Sequence, residues 1–389
     1  MDYYKESLRI HKEKKGKLEV KSKLPVKNKD DLSIAYTPGV AEPCRVIAKN
    51  SNAVYDYTMK GNTVAVISDG SAVLGLGNIG AKAAMPVMEG KALLFKEFAR
   101  VDSFPICIES QDTEVIIETI KQISTGFGGI NLEDISSPRC FEIENRLKKE
   151  LDIPVFHDDQ HGTAIVVVGG LINALKLADK WFDNVKIVVN GAGAAAIAVS
   201  KFILRQEPKD LIICDSKGII SKDRDNLNLV KQEMTQITNK ENISGSLSVA
   251  LKSADIFIGL SVAGALKPED MKEMNDKPII FAMANPEPEI MPDVAKEAGA
   301  FIIATGRSDF PNQVNNVLGF PGIFRGALDC RASDINEDMK LAASHALAKS
   351  IGYDLTVDNI LPSPLDKSVA QKVAKAVKEA AIRTGINRI

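Results

Sequence analysis

The feature that most constrains the fold of this 389-residue sequence is a glycine- and alanine-rich turn between two apolar runs. Residues 185–189 (VKIVV) lead directly into residues 190–196 (NGAGAAA), which have the form G-x-G-x-x-A. Such small residues let the backbone at a helix N-terminus approach a pyrophosphate closely. The sequence therefore predicts a Rossmann-type dinucleotide site formed by Gly191, Gly193, Ala194, Ala195 and Ala196.

An acidic residue ends the next apolar run, residues 211–214, as this kind of site requires. Asp215 lies 24 residues after Gly191, where its carboxylate can accept hydrogen bonds from ribose hydroxyls. The same carboxylate would repel a 2′-phosphate, which favours NAD over NADP. Lys217 could accept that phosphate, so both cofactors stay open.

Composition excludes several other classes of protein. Apolar residues make up 45% and charged residues 26% of the chain, as in ordinary soluble domains. A net charge of −2 and 5% aromatic residues disfavour nucleic-acid binding. The N-terminus is polar and no apolar stretch approaches a membrane span. Five scattered cysteines suit a reducing compartment. We expect a cytoplasmic protein that binds neither nucleic acid nor membrane.

The hydrophobic pattern predicts an α/β protein in three parts. Strand and helix signals alternate from residue 63 to residue 156, and five further apolar strands lie between residues 185 and 304. A long apolar helix is expected to follow Thr163, and the chain is helical after residue 310. We predict a catalytic domain with a lysine-rich N-terminal arm (1–163), a Rossmann-type doubly wound domain (164–310) and C-terminal helices (311–389).

Two acidic doublets are candidate metal ligands. Glu133-Asp134 and Asp158-Asp159 each follow a predicted strand, and carboxylates suit a hard divalent ion such as Mg²⁺ or Mn²⁺. Neighbouring strand residues point to opposite faces, so both members of a doublet can bind one ion only where the strand has become a loop. The alternative is that Asp158 or Asp159 caps the next helix. The flanking residues His157 and His161 are interpreted as local hydrogen-bonding groups.

Lys91 and Tyr36 are the candidate proton-transfer residues. Lys91 lies within an apolar helical segment, where burial would lower its pKa and make it a usable general base. The alternative is a surface lysine whose ammonium reaches solvent. Tyr36 lies in a turn-rich loop and, taken alone, indicates nothing more.

Seven segments together resemble the malic enzyme family, in particular its short bacterial and archaeal type. They are residues 35–41 (AYTPGVA), 68–77 (SDGSAVLGLG), 89–91 (EGK), 132–134 (LED), 156–164 (FHDDQHGTA), 284–286 (ANP) and 312–316 (NQVNN). The resemblance covers residues 20 to 385 and implies that the Rossmann domain is inserted into a smaller α/β substrate domain, which the C-terminal helices complete. It also implies a homodimer or a dimer-based oligomer, to which the N-terminal arm contributes contacts.

The family oxidises L-malate with NAD or NADP and decarboxylates the product to pyruvate. The resemblance implies that Lys91 takes the proton of the C2 hydroxyl and that Tyr36 protonates enolpyruvate at C3. It further implies that Mg²⁺ or Mn²⁺ is held by three carboxylates, those of Glu133, Asp134 and Asp159. Asp158 would orient Lys91 or a metal ligand.

The substrate contacts depart from the family pattern at one position. Ala72 stands where longer members carry an arginine that holds a malate carboxylate. Ser71, Asn285 and Asn315 are the expected replacements, and Asn285 is also expected to orient the nicotinamide. Two other functions stay open at this point: a metal-free dehydrogenase of another 2-hydroxy acid or amino acid, and a dinucleotide-sensing protein without turnover.

Overall fold

Two separate sheets organise the chain in a computed structural model, which describes residues 2–73 and 75–389. The strands are β1 (Thr63–Ser68), β2 (Asp102–Cys107), β3 (Gly129–Leu132), β4 (Val155–His157), β5 (Lys186–Asn190), β6 (Asp210–Asp215), β7 (Gly218–Ile219), β8 (Ile256–Gly259), β9 (Ile279–Ala282) and β10 (Ile302–Thr305). The first sheet has the order β2-β1-β3-β4 and is parallel. The second has the order β10-β9-β8-β5-β6-β7 and is parallel except at β7.

Helices surround both sheets. They are α1 (Tyr3–Lys14), α2 (Lys29–Ala35), α3 (Ala41–Lys49), α4 (Val54–Tyr57), α5 (Ala81–Ala99), α6 (Thr113–Ile123), α7 (Arg139–Glu150), α8 (Asp158–Ala178), α9 (Ala194–Leu204), α10 (Leu229–Thr235), α11 (Leu247–Leu251), α12 (Pro268–Met271), α13 (Pro292–Glu297), α14 (Phe320–Asp329), α15 (Glu337–Ser350) and α16 (Lys367–Arg383). Short 3₁₀ turns join several of them.

The first sheet aligns the ends of three strands. Every residue of β1, β3 and β4 is buried, as expected for a parallel sheet with helices on both faces. Ile67 pairs with Leu132, and Leu132 pairs with His157. The residues that follow these strands therefore leave the sheet side by side at its carboxyl edge, which is where both acidic doublets lie.

The second sheet has the predicted Rossmann-type topology. Its first strand in the chain, β5, lies between β6 and β8, so the order reverses beside it and creates the crevice in which such folds bind dinucleotides. Gly191 follows β5 with φ +136°, and a Cβ there would lie 2.3 Å from the Leu260 carbonyl oxygen. Only glycine fits this turn, which agrees with the predicted fingerprint.

Helix α8 begins earlier than the sequence pattern predicts. It starts at Asp158 rather than after Thr163, and its N-cap is His157, which makes no side-chain capping bond. Capping by Asp158 or Asp159 is therefore wrong, although acidic residues in a first turn suit the helix dipole. Gly162 lies inside the helix, at a position where only glycine fits, because a Cβ there would fall 1.9 Å from Asp158 Oδ1.

The early start makes α8 the one described helix long and apolar enough to cross a membrane. However, 72% of its apolar window is buried inside the protein. It packs against α9 and α15, so its apolar surface belongs to the protein core.

The C-terminal helices pack against the helices of the first sheet. Phe95 of α5 has its ring centroid 4.7 Å from that of Phe320 and 5.3 Å from that of Phe324, both on α14. Helices α14 and α16 approach closely, since a Cβ on Gly326 would lie 2.5 Å from the Ala374 carbonyl oxygen. The carboxyl edge of the first sheet is thereby enclosed from the α14 side.

Candidate active site

Three carboxylates converge at the carboxyl edge of the first sheet. Glu133, Asp134 and Asp159 each offer an oxygen, and these atoms all lie within 4.8 Å of one another. We call these three residues the acidic cluster. Strand β3 has ended before Glu133, and Asp134 adopts a left-handed conformation with φ 54°. The backbone turn that both members of this doublet need to face one ion is therefore present.

The acidic cluster fits a divalent cation. Burial and repulsion from Asp159 raise the pKa of the Asp134 carboxyl to about 8, and burial raises the pKa of Glu133 well above its usual range. The Asp134 Oδ2 atom is buried with no hydrogen-bond partner among the described residues. Three hard oxygen donors with an unpartnered buried oxygen match the ligands that Mg²⁺ and Mn²⁺ prefer.

Lys91 lies against this cluster. Its Nζ is 2.6 Å from Asp158 Oδ2, 2.9 Å from Glu133 Oε1 and 4.5 Å from the Phe320 ring centroid. The side chain is only 12% exposed, so the alternative of a surface lysine is wrong. Burial by itself would lower the Lys91 pKa, but Asp158 and Glu133 outweigh it and raise that pKa. The predicted lowering is thus reversed here, because two carboxylates accompany the lysine into the interior.

Asp158 is held by a residue that sequence reasoning missed. Its side chain is fully buried, and Asn316 Nδ2 donates to Asp158 Oδ2 at 3.2 Å and to the Asp158 carbonyl oxygen at 3.3 Å. Thr163 Oγ1 in turn donates to Asn316 Oδ1 at 3.2 Å. Asn316 follows Asp158 by 158 positions in the chain, so no local sequence pattern indicates this contact.

The two histidines beside the second doublet differ. His161 is hydrogen-bonded, with its Nε2 2.7 Å from Glu144 Oε1. His157 is fully buried, and its Nδ1 lies 3.6 Å from Asp159 Oδ2, so neither ring nitrogen has a hydrogen-bond partner among the described residues. Its interpretation as a local hydrogen-bonding group is therefore wrong for the ring.

Ser71 lies on the loop that borders the acidic cluster, although its hydroxyl is already engaged. Ser71 Oγ donates to Asp69 Oδ1 at 2.5 Å and accepts from the Ser136 backbone N–H at 2.9 Å. Arg139 Nη2 lies 2.7 Å from Asp69 Oδ2. A guanidinium that the sequence pattern does not single out therefore contacts Asp69, three residues before Ala72.

The dinucleotide crevice contains the predicted residues, with one unexpected arrangement. Gly193 is the N-cap of α9, and Ala194, Ala195 and Ala196 form its first turn. The Asp215 carboxylate is paired with cations.

Two cations bind the Asp215 carboxylate. Arg224 lies 2.9 and 3.0 Å from its two oxygens, and Lys231 Nζ lies 2.6 Å from Oδ2. Burial opposes ionisation, but these hydrogen bonds outweigh it and hold the pKa of Asp215 at about 2. The carboxylate is neutralised, so the predicted repulsion of a 2′-phosphate loses its basis.

The remaining predicted site residues are Asn285, Asn315 and Tyr36. Asn285 follows β9, and its Nδ2 donates to the Met283 carbonyl oxygen at 3.3 Å. Asn315 Oδ1 accepts from the Val317 backbone N–H at 3.0 Å and caps a turn, and its amide N–H groups make no hydrogen bond to the described residues. Tyr36 is 67% exposed, and no hydrogen bond joins its phenol to the described part of this chain. No hydrogen bond of the described residues links the Tyr36 side chain to the acidic cluster.

A dinucleotide fold beside a buried lysine and an acidic cluster defines an oxidoreductase, and comparison with known proteins identifies its family. Residues 15–115 match the malic enzyme N-terminal domain, and residues 160–382 match the malic enzyme NAD-binding domain. The chain belongs to the malic enzyme family, as the sequence motifs predict.

Close relatives cover the whole chain. A bifunctional malic/malolactic enzyme of Bacillus subtilis is 59% identical over 100% of this chain and 95% of its own. An NAD-dependent malic enzyme of Geobacillus stearothermophilus is 58% identical over 96% of this chain and 78% of its own. The crystal structure of a Pyrococcus horikoshii malic enzyme superposes with a TM-score of 0.95 at 49% identity, covering 99% and 92% of the two chains. Other relatives are named NADP-dependent.

These findings confirm the predicted fold class, family and enzyme class. The chain is an oxidoreductase of the malic enzyme family that uses NAD or NADP. The alternative of a dinucleotide-sensing protein without turnover is wrong.

Proposed function

We propose that this chain converts L-malate to pyruvate and CO2 at the acidic cluster, with hydride transfer to NAD or NADP in the adjacent crevice. The observation that carries the proposal is the contact of Lys91 with Asp158 and Glu133. The proposed general base thereby lies against the carboxylates that are proposed to hold the metal ion. A metal-free dehydrogenase would have no use for that arrangement.

Glu133, Asp134 and Asp159 are proposed to hold Mg²⁺ or Mn²⁺. When bound, the ion supplies a Lewis acid that stabilises negative charge on the substrate oxygens. The unpartnered Asp134 Oδ2 supports this assignment, because a buried carboxylate oxygen without any partner is costly.

Lys91 is proposed to accept the proton of the malate C2 hydroxyl. Paired with two carboxylates, it is held protonated. When the negative charges of Asp158 and Glu133 are neutralised, burial becomes the dominant influence on the Lys91 pKa. Burial favours the neutral amine that a base requires. Asp158, anchored by Asn316, positions the amine.

Ser71, Asn285 and Asn315 are proposed to contact the substrate, with Asn285 also facing the nicotinamide. Asn315 supports this best, because its oxygen is engaged in capping while the described residues leave its amide donors unused. Donors suit carboxylate recognition.

Tyr36 is proposed to protonate enolpyruvate within a homodimer, acting in the active site of the partner chain. Helices α1, α2 and α3 contain no buried residue, although they carry many apolar side chains. Leu32 and Ile34 near Tyr36 are 51% and 73% exposed. A second copy that covers this surface would bring the phenol into an enclosed site.

Both cofactors are proposed to be accepted, with little discrimination between them. Asp215, Arg224 and Lys231 together carry one net positive charge, so the ribose end of the crevice tolerates a 2′-phosphate. Asp215 alone would favour NAD, and its pairing with Arg224 and Lys231 is expected to weaken that preference.

The predicted domain boundaries, 1–163, 164–310 and 311–389, are kept as a proposal, in which the Rossmann domain is inserted into the substrate domain. Packing of α14 against α5 supports it, because the last segment then completes the first sheet's half of the protein. A cytoplasmic location is likewise proposed, and five free cysteines support it.

The proposal is tested by following NAD(P)H absorbance and CO2 release together. With malate and Mn²⁺, both should appear in equal amounts, and EDTA should abolish both. Reduction of the nicotinamide without CO2 would instead indicate a plain hydroxy-acid dehydrogenase.

A further inference from the structure

A cavity of about 320 Å³ lies between helices α7, α8, α9 and α15, apart from the acidic cluster. None of the three carboxylates of the cluster lines it. Four basic side chains do: Lys148, Lys201, Arg205 and Lys340. A volume of this size is sufficient for a small organic ligand.

Two acidic side chains also line the cavity, against its four basic ones, and both accept hydrogen bonds from within the protein. Glu144 accepts from His161 Nε2 at 2.7 and 3.0 Å to its two oxygens. Glu337 Oε1 accepts from Lys340 Nζ at 2.8 Å. The lining therefore keeps an excess of positive charge and of hydrogen-bond donors.

Two deeply buried groups keep hydrogen-bond donors that the described residues leave unused. Lys340 is 2% exposed and donates to Glu337 and to His161 Nδ1 at 3.0 Å, which uses two of its three N–H groups. Gln160 is 3% exposed, and its Nε2 has no partner among the described residues. Buried donors almost always find an acceptor, so their convergence on one cavity points to a ligand that supplies it.

The mouth of the cavity carries cations that are weakly engaged. Arg205 forms no ion pair with the described residues, and Lys201 Nζ reaches only Glu233, at 3.7 Å. Both residues project from the C-terminal half of α9. Acidic groups of a ligand could therefore be bound at two places, one deep and one at the mouth.

We propose that this cavity binds a small organic anion with at least two acidic groups. Lys340 and Gln160 hold one group, and Lys201 and Arg205 hold the other. Because the donors are ammonium, guanidinium and amide N–H groups, either a phosphate or a carboxylate satisfies them.

The position of the cavity makes this anion an effector of the enzyme. Gln160 follows Asp159 directly on α8, and Arg205 ends the helix that begins at the dinucleotide turn. Binding between α8 and α9 fixes these two helices relative to each other. The anion and the dinucleotide should therefore change each other's affinity by the same factor.

Calorimetry on the metal-free protein in EDTA tests the site without any turnover. The probes are 3-phosphoglycerate and tricarballylate, titrated separately without malate or dinucleotide. We expect at least one of them to bind, and their comparison shows whether phosphate or carboxylate is preferred. Failure of both to bind would overturn the proposal.

Variants locate the probe. Lys201→Gln combined with Arg205→Gln should weaken its binding by at least about tenfold, whereas Lys209→Gln, an exposed lysine beyond α9, should not. Lys340→Met should also weaken it, and the exposed pair keeps the test valid if this buried variant does not fold. Binding that survives the double substitution but is lost in Lys91→Ala would place the anion in the active site and contradict the proposal.

The effector role has its own measurement. The dissociation constant of NADH, followed by its fluorescence, should change by at least about fivefold when the probe is saturating. Arg205→Gln should remove that change without altering NADH affinity in the absence of probe. An unchanged dissociation constant in the unsubstituted protein would contradict the effector role.

Discussion

The Lys91 ammonium lies 2.6 Å from Asp158 Oδ2 in the interior of the protein, and this pair joins the base to the carboxylates at the edge of the first sheet. The pair exists because α5 passes the carboxyl end of β4, where α8 begins with Asp158. Asn316 fixes the Asp158 carboxylate from the other side. A lysine in this setting responds to the charge state of its neighbours.

Removing one carboxylate should disrupt the metal site. Asp159→Asn is expected to weaken Mn²⁺ binding by at least about tenfold, because one of three charged oxygen ligands becomes a neutral amide. Mn²⁺ titration followed by electron paramagnetic resonance measures this. Asp183→Asn, a change at an exposed acid outside the site, is the control. Equal affinity in both variants would remove Asp159 from the metal site.

Stability of the metal-free protein should fall as pH rises. The Asp134 pKa is about 8 in the folded protein, against 3.8 ordinarily, so the folded state binds more protons than the unfolded state between these values. Linkage then predicts a loss of about 2 kcal/mol between about pH 6.5 and 8.5.

Chemical denaturation in EDTA at the two pH values provides the measurement. Asp134→Asn should lose the part of the pH dependence that the Asp134 carboxyl contributes, because it removes that carboxyl and keeps its size. Saturating Mn²⁺ should do the same in the unsubstituted protein. Stability that increases with pH in EDTA would contradict the raised pKa.

The cations on Asp215 should determine how NADP is accepted. Arg224→Gln leaves the Asp215 carboxylate less neutralised, so the KM for NADP should rise by about tenfold more than the KM for NAD. Initial rates with each cofactor give the two values. Lys222→Gln, an exposed lysine on the same segment, should change neither. Equal effects on both cofactors would give Arg224 a purely structural role.

Tyr36 should act across the dimer. Tyr36→Phe removes the phenolic proton and keeps the ring, so turnover should fall by about two to four orders of magnitude. Enolpyruvate tautomerisation with NAD(P)H bound should fall more than decarboxylation of added oxaloacetate.

Mixed dimers test the subunit assignment. Tyr36→Phe and Lys91→Ala chains, each inactive alone, should regain activity when mixed, because one of the two sites in a mixed dimer then contains both intact residues. The regained rate is expected to approach one quarter of the normal rate at full exchange, by random pairing of equal amounts of chains. Confirmed subunit exchange without any regained activity would place Tyr36 and Lys91 of the same chain in one site.

Sequence patterns were sufficient wherever the information is local. Helix α5 lies within the alternating strand and helix signals of residues 63–156, and the glycine turn identifies the dinucleotide crevice. The acidic cluster follows from doublets at strand ends, because parallel register places those ends together. These features need only the period of a helix or a strand and the geometry of a parallel sheet.

Long-range pairing limits what the sequence can predict. The Lys91 pKa direction depends on Glu133 and Asp158, which lie 42 and 67 residues away in the chain. The neutralisation of Asp215 by Lys231 requires the course of the chain after β7. The sequence pattern places the start of α8 too late, because glycine is a poor helix former. In the structure Gly162 is helical, and its missing Cβ makes room for the Asp158 carboxylate.

The role of Lys91 as the base is tested most directly by the rate of NAD(P)H formation from malate by Lys91→Ala at saturating Mn²⁺ and dinucleotide. Lys96→Ala, an exposed lysine on the same helix, is the matched control. We predict that Lys91→Ala loses about two to four orders of magnitude in this rate while its dinucleotide affinity is kept, and that Lys96→Ala is near normal. A Lys91→Ala rate within about tenfold of normal would contradict the assignment of Lys91 as the base.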